Sequence, residues 1–178
     1  MTARTIHGVT VECLQGNIAD QQGIDAVVCA ANAELQTGAG VAGAIHGKAG
    51  PGLAQECRRL APIRVGQAVI SGAHNLPNRF VIHCLGPVYG RDNPSAELLA
   101  SCYRNALKLA EEHGVASIAF PAISTGVFGY PKTAAAAVAL KTVCAELPRL
   151  SSVKQIRFVL YGTDDLEIYE RALEELAG

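Results

Sequence analysis

The pattern of apolar segments predicts an α/β domain of three layers, an α/β/α sandwich with helices on both faces of a mostly parallel sheet. Short β-like apolar runs alternate along the chain with segments of helical periodicity. The two most glycine-rich segments each follow such a run, where functional loops of a parallel sheet belong. No Pro/Gly/Ser-rich linker, low-complexity tract or internal repeat interrupts the pattern, so residues 1–178 are expected to form a single domain.

Taken in order, Thr10–Leu14 reads as a strand and Ala26–Ala30 as a buried one. Val41–Leu60 reads as helix, interrupted at Pro51, whose ring and missing N–H break an interior turn. Short β-like runs follow at Ala68–Ile70 and Phe80–Cys84. Over Ala96–Glu112, Leu98, Leu99, Cys102, Ala106, Leu109 and Ala110 recur at three- and four-residue steps, predicting an amphipathic helix with Ser95 as N-cap. Strand Ser117–Phe120, an Ala-rich helix over Lys132–Leu147, strand Ile156–Tyr161 and a helix over Asp165–Leu176 complete the reading.

Composition narrows the function classes. Fifteen basic and 16 acidic side chains leave a formal net charge of -1, so nothing draws the chain to a polyanion and nucleic-acid binding is not expected. Met1–His7 lacks the apolar core of a signal peptide, and no apolar run approaches the roughly 18 residues of a membrane span. The expected compartment is the cytoplasm, without a membrane partner. Cys13, Cys29, Cys57, Cys84, Cys102 and Cys144 form no C-x-x-C pair, which predicts reduced, mostly buried thiols and no metal site.

Two segments carry chemistry. Ala30-Ala31-Asn32 leaves a strand and leads into Thr37–His46, where Gly38, Gly40 and Gly43 let backbone N–H groups approach a phosphate ahead of a helix. These glycines satisfy G-x-G-x-x-G, but Ala33–Thr37 separate them from the strand. The next strand candidate, Gln67–Gly72, ends without the acid that a nicotinamide site requires. The second segment, Pro121–Pro131, offers hydroxyls, Gly126, Gly129 and the ring of Phe128. Two such loops on one sheet edge are placed to clasp a diphosphate from both sides, with a sugar at one end and a base at the other.

The ordered segments Gln15–Ile18, Cys29–Asn32, Gly38–His46, Asn75–Pro77, His83–Tyr89 and Ser124–Pro131 resemble the macrodomain family, most closely its MacroD-type branch. The resemblance runs from about Val9 to the C-terminus. It implies a central mixed, mostly parallel sheet and an ADP-ribose cleft that needs no cofactor. It further implies ADP-ribosylated protein and O-acetyl-ADP-ribose as partners, with hydrolysis of the ester. By the same resemblance, Asn17 stands where the family's usual Asp accepts the adenine amino group, Ile18 offers an N–H to a ring nitrogen, and Tyr161 flanks the base. Gly38, Ala39, Gly40 and Val41 form one loop against the diphosphate. Ser124, Thr125, Gly126, Val127 and Phe128 form the other, with Phe128 against the distal ribose. Asn32 matches the asparagine on the distal ribose hydroxyls beside the attacking water, and His46 is the candidate base.

Three departures qualify the resemblance. Cys29 replaces the first Asn of the usual N-A-A-N, Ala39 breaks a glycine triplet, and Ala42 stands where many hydrolases of this branch carry Asp. An acid at 42 would share a helix face with His46 and polarise it. Three readings follow: an ADP-ribosyl-ester hydrolase, a module that binds ADP-ribose without turnover, and a regulator acting through a protein partner.

Overall fold

The computed structural model describes residues 1–177. Seven strands, β1 (Thr2–Ile6), β2 (Val9–Gln15), β3 (Ala26–Ala30), β4 (Ala68–Gly72), β5 (Phe80–Cys84), β6 (Ser117–Phe120) and β7 (Gln155–Leu160), form one sheet in the order β1-β2-β7-β6-β3-β5-β4. The inner ladders are all parallel; only the edge strands β1 and β4 run antiparallel to their neighbours. The sheet is thus mixed and mostly parallel, as expected.

Five helices, α1 (Gly40–Ala49), α2 (Pro51–Cys57), α3 (Ser95–Glu112), α4 (Lys132–Glu146) and α5 (Thr163–Ala177), cover its two faces. Period-two alternation assigns the layers. In β3, Ala26 and Val28 belong to a core shared with α3, α4 and α5, whereas Val27 and Cys29 belong to one shared with α1 and α2. The first core holds a chain of rings, Tyr103–Phe120, Phe120–Phe158 and Phe158–Tyr169, with centroids 5.1, 5.7 and 5.5 Å apart. Among the described residues, no helix is long and apolar enough to cross a membrane.

Four local differences from the sequence reading have physical causes. Thr2–Ile6, unread as structure, pairs antiparallel with β2 although its three central residues are exposed; its ladder bonds make it a strand where its pattern does not. The segment from Val41 splits into two helices at Gly50, whose φ of 83° leaves the helical region one residue ahead of Pro51, and the second helix stops at Cys57. Ser95 does not cap α3: it lies inside the first turn, Pro94 holds the cap position, and the Ser95 hydroxyl donates back to the Asp92 carbonyl at 2.5 Å. The last strand ends at Leu160, leaving Tyr161 just beyond it with 89% of its surface exposed.

Candidate functional site

The carboxyl ends of the five parallel strands converge on one edge, and the residues just beyond them line two adjoining chambers. Gly16 and Asn17 follow β2, Tyr161 follows β7, and Pro121 and Ala122 follow β6; Ala31 follows β3, and Gly86 lies two residues past β5. The larger chamber, about 490 Å³, holds Asn17, Ile18, Thr125 and Tyr161. The smaller, about 260 Å³, holds Ala39, Ser124, Val127 and Phe128. Gly40, Val41, Ala122 and Gly126 border both, forming a waist at the start of α1. Another groove, of about 460 Å³, runs between the ends of α3 and α4 among charges of both signs, away from these strand ends.

The first loop is held by the side chain of Asn32 and by close backbone packing. The Asn32 amide donates to the Gln36 carbonyl at 2.9 Å and accepts the Gln36 N–H at 3.0 Å. Both ends of that side chain therefore clamp the loop, with one donor hydrogen and one lone pair left over. Gly38 packs so closely on α1 that a Cβ at Gly43 would lie 2.3 Å from the Gly38 carbonyl oxygen. Gly40 takes a φ of 62°, a left-handed conformation that glycine adopts without cost. Among the described residues no side chain caps α1, whose first residues, Gly40 and Val41, border the waist.

The second loop is equally braced. Tyr130 N–H donates to the Ser124 carbonyl at 2.9 Å, Gly129 N–H to the Gly126 carbonyl at 3.0 Å, and Tyr89 N–H to the Phe128 carbonyl at 2.9 Å. The rings of Tyr89 and Tyr130 stack at an angle, 4.8 Å between centroids. The Leu85–Tyr89 stretch thus reaches the site as a brace for Phe128 and, through Gly86, as part of the chamber wall.

The structure gathers most of the expected site residues. Asn17, Ile18, Thr125 and Tyr161 border one chamber, Ala39, Ser124, Val127 and Phe128 the other, and Gly40, Val41 and Gly126 both. Gly38, Asn32 and His46 line neither. His46 is 6% exposed on the sheet side of α1, its Nδ1 has no hydrogen-bond partner among the described residues, and burial holds its pKa below the usual imidazole value. Its ring centroid is 6.4 Å from that of His83, a fully buried imidazole whose Nε2 meets the Ser71 hydroxyl at 2.9 Å. Cys29 is fully buried and its thiol is pushed up to about 12 by desolvation, so it is a small core residue and not a nucleophile.

The sequence reading missed Gly86 and Asp165. Gly86 stands between Leu85 and Pro87, a glycine whose tertiary neighbours make it necessary. Asp165, in the first turn of α5, borders the larger chamber while its carboxylate pairs with the Lys132 ammonium at 2.8 Å.

With this geometry in view, the comparisons agree. Residues 28–139 match the family model described as Macro domain. A Macro domain-containing protein of Chlorobaculum tepidum is 49% identical over 84% of this chain and 88% of its own length. The O-acetyl-ADP-ribose deacetylase of Escherichia fergusonii is 46% identical over 93% of this chain and 96% of its own. A solved structure of an Oceanobacillus iheyensis macrodomain mutant with ADPR superposes with a TM-score of 0.93 at 37% identity, covering 98% of this chain and 97% of that one. A five-strand parallel core with both loops at its carboxyl edge, matched in sequence along most of the chain, makes this protein a member of the Macro domain family.

Proposed function

We propose that this chain binds ADP-ribose across the two chambers and hydrolyses the ester of O-acetyl-ADP-ribose, with mono-ADP-ribosylated acidic side chains as further substrates. One observation carries the reading: two chambers meet at a glycine-lined waist on the N-terminus of α1, the shape and polarity of two bulky ends joined by a diphosphate. Asn17, Ile18 and Tyr161 receive the adenine end; Gly38–Val41 and Ser124–Phe128 close on the diphosphate and distal ribose. Asn32, partly exposed next to the chamber residue Ala31 and oriented by Gln36, keeps a spare donor and lone pair, which this reading assigns to the ribose hydroxyls and the attacking water. A general base acts within hydrogen-bond reach or through one water. His46 is buried against His83 on the sheet side of α1, so a diphosphate oxygen of the substrate is the proton acceptor in this reading. Six free thiols, five of them buried, suit the reducing cytoplasm.

A second reading, binding without turnover, is favoured by a specific observation: among the described residues, no ionisable side chain borders the smaller chamber. Incubation with O-acetyl-ADP-ribose, with acetate and ADP-ribose resolved over time, separates the two. Calorimetry should show ADP-ribose bound more tightly than AMP, and NAD poorly. NAD bound as tightly as ADP-ribose removes the basis of both readings.

A further inference from the structure

The larger chamber is walled by small, apolar and neutral polar residues and, among the described residues, by one carboxylate, that of Asp165 in the first turn of α5. Its two oxygens stand differently. Oδ1 is buried and faces the Lys132 ammonium at 2.8 Å. Oδ2 has no partner among the described residues and stays accessible, in a side chain 22% exposed. Asp165 borders the chamber and Lys132 does not, so the carboxylate stands between the ammonium and whatever enters.

Two contacts place Asp165 along the chamber. Lys132 opens α4 directly after the second loop, so the ion pair ties Asp165 to the end of that loop. A Cβ on Gly162, the residue after Tyr161, would lie 3.6 Å from Oδ2, so the free oxygen turns toward the end of β7. Asp165 thus stands between the ring that flanks the base and the loop that closes on the diphosphate. In the adenosine half of the ligand, the ribose joins those two parts. The groups of that half able to donate to a carboxylate are the adenine amino group and the ribose 2′- and 3′-hydroxyls. Asn17 and Ile18 take the base, which leaves the two hydroxyls for Asp165.

Resting on the reading above, we infer that Asp165 is a specificity-determining residue: its free oxygen accepts from the 2′,3′-diol of the adenosine ribose, and its charge excludes ligands phosphorylated on that ribose. In nucleotide sites generally, an acid beside the ribose selects the free 2′-hydroxyl and a cation in its place accommodates a 2′-phosphate. Both charges are present here, but Lys132 is held on the buried oxygen and the carboxylate is what the ligand meets. A 2′-phosphate would bring like charges together at short range. The ion pair also fixes the carboxylate before the ligand arrives, so little side-chain freedom is lost on binding.

The test is calorimetry of wild type, Asp165→Ala, Asp165→Asn and Lys132→Met with ADP-ribose, 2′-phospho-ADP-ribose, ADP and 2′,3′-dideoxy-ADP. Wild type should bind ADP about tenfold more tightly than the dideoxy nucleotide, and Asp165→Ala should bind the two within about twofold. Wild type should also prefer ADP-ribose to its 2′-phosphate by at least about tenfold. Asp165→Asn removes the charge and releases Lys132, so that preference should vanish or reverse. Lys132→Met breaks the ion pair but keeps the carboxylate, and should retain both preferences. An aspartate that only ties α5 to α4 would make the Lys132 and Asp165 variants lose affinity for all four ligands alike, which overturns the assignment. Equal binding of ADP and dideoxy-ADP by wild type, or discrimination that survives in Asp165→Ala, overturns it too. Should Asp165→Ala fail to fold, the 2′-phosphate preference of Asp165→Asn decides, and an unchanged preference is the overturning result. ADP-ribose binding without these preferences leaves the cleft reading standing, whereas absence of ADP-ribose binding by wild type fails that reading as well.

Discussion

Asn17 shows how one hydrogen bond sets the polarity of a site. Its Oδ1 accepts the Ala19 N–H at 2.9 Å, which fixes the amide's orientation because an NH2 group cannot accept from that donor. One oxygen lone pair and both Nδ2 hydrogens remain, so the side chain presents mixed polarity to the larger chamber. An aspartate would keep the Ala19 bond with one oxygen and present a charged acceptor with the other. Hydrogen bonds to charged groups contribute about 1.5–3 kcal/mol, against about 0.5–1.5 kcal/mol for neutral ones. Asn17→Asp should therefore tighten ADP-ribose binding by about 1 kcal/mol, roughly five- to tenfold. Asn17 is exposed, so desolvating the new carboxylate costs little. Calorimetry of both proteins at one salt concentration checks this; equal or weaker binding by the variant would mean that residue 17 does not meet the amino group.

At the scale of elements, the first loop depends on a glycine inside a helix. Gly43 lies in the second turn of α1, where alanine would ordinarily add about 1 kcal/mol of helix stability. Its Cβ would fall 2.3 Å from the Gly38 carbonyl oxygen, a backbone atom that cannot rotate away. The clash outweighs the propensity, so Gly43→Ala should displace the Gly38–Val41 loop and weaken ADP-ribose binding at least tenfold while helix content is retained. Circular dichroism beside calorimetry separates the effects; full affinity in the alanine variant would show that the loop yields. The same element shows where pattern reading stops. Apolar periodicity continues through Gly50 and Pro51, but the chain turns there because Gly50 leaves the helical region. Ser95 has the chemistry of a cap, yet its hydroxyl turns back to Asp92, whose own carboxylate accepts the Val88 N–H at 2.9 Å.

At the scale of the whole molecule, acid stability rests on imidazoles buried between α1, α2 and the sheet. Burial, reinforced by neighbouring His46, pushes His83 down from the ordinary 6.5 to about 4. Between those values the unfolded chain binds more protons than the native one, so stability falls as pH drops through the window and the loss is complete below about 4. A shift of that size is worth about 3 kcal/mol, and His46, also lowered by burial, adds to it in the same direction. Glu111 follows the same sign lower down. Burial alone would raise its pKa, but hydrogen bonds from Ser151, Val153 and Ser152 hold it at about 2, so its contribution is lost below the ordinary carboxylate range. Denaturant titrations from pH 7 to pH 4 should show decreasing stability in wild type and a flatter slope in His83→Asn. An undiminished slope in the variant would assign the loss to other groups.

How much was legible in the sequence follows from how local each cause is. Alternating periodicity is written in neighbouring residues, so the layers, the parallel core and both glycine-bearing loops could be read from the chain alone. The edge strand Thr2–Ile6 could not, because its exposed pattern carries no burial signal and its ladder partner supplies the bonds. Of the fourteen residues that the family resemblance implied, eleven stand on the chamber walls. Spacing does not encode what a side chain meets. Asn32 turned both ends of its amide to Gln36, and His46 faced the sheet instead of the cleft. Gly86 and Ser124, 38 positions apart, were pressed together by the packing of β5 beside β3 and β3 beside β6. The sequence by itself determined which edge of the sheet would hold the site. Only the tertiary structure decided which polar atoms on that edge remain without partners, because a hydrogen bond depends on distances that the order of residues does not contain.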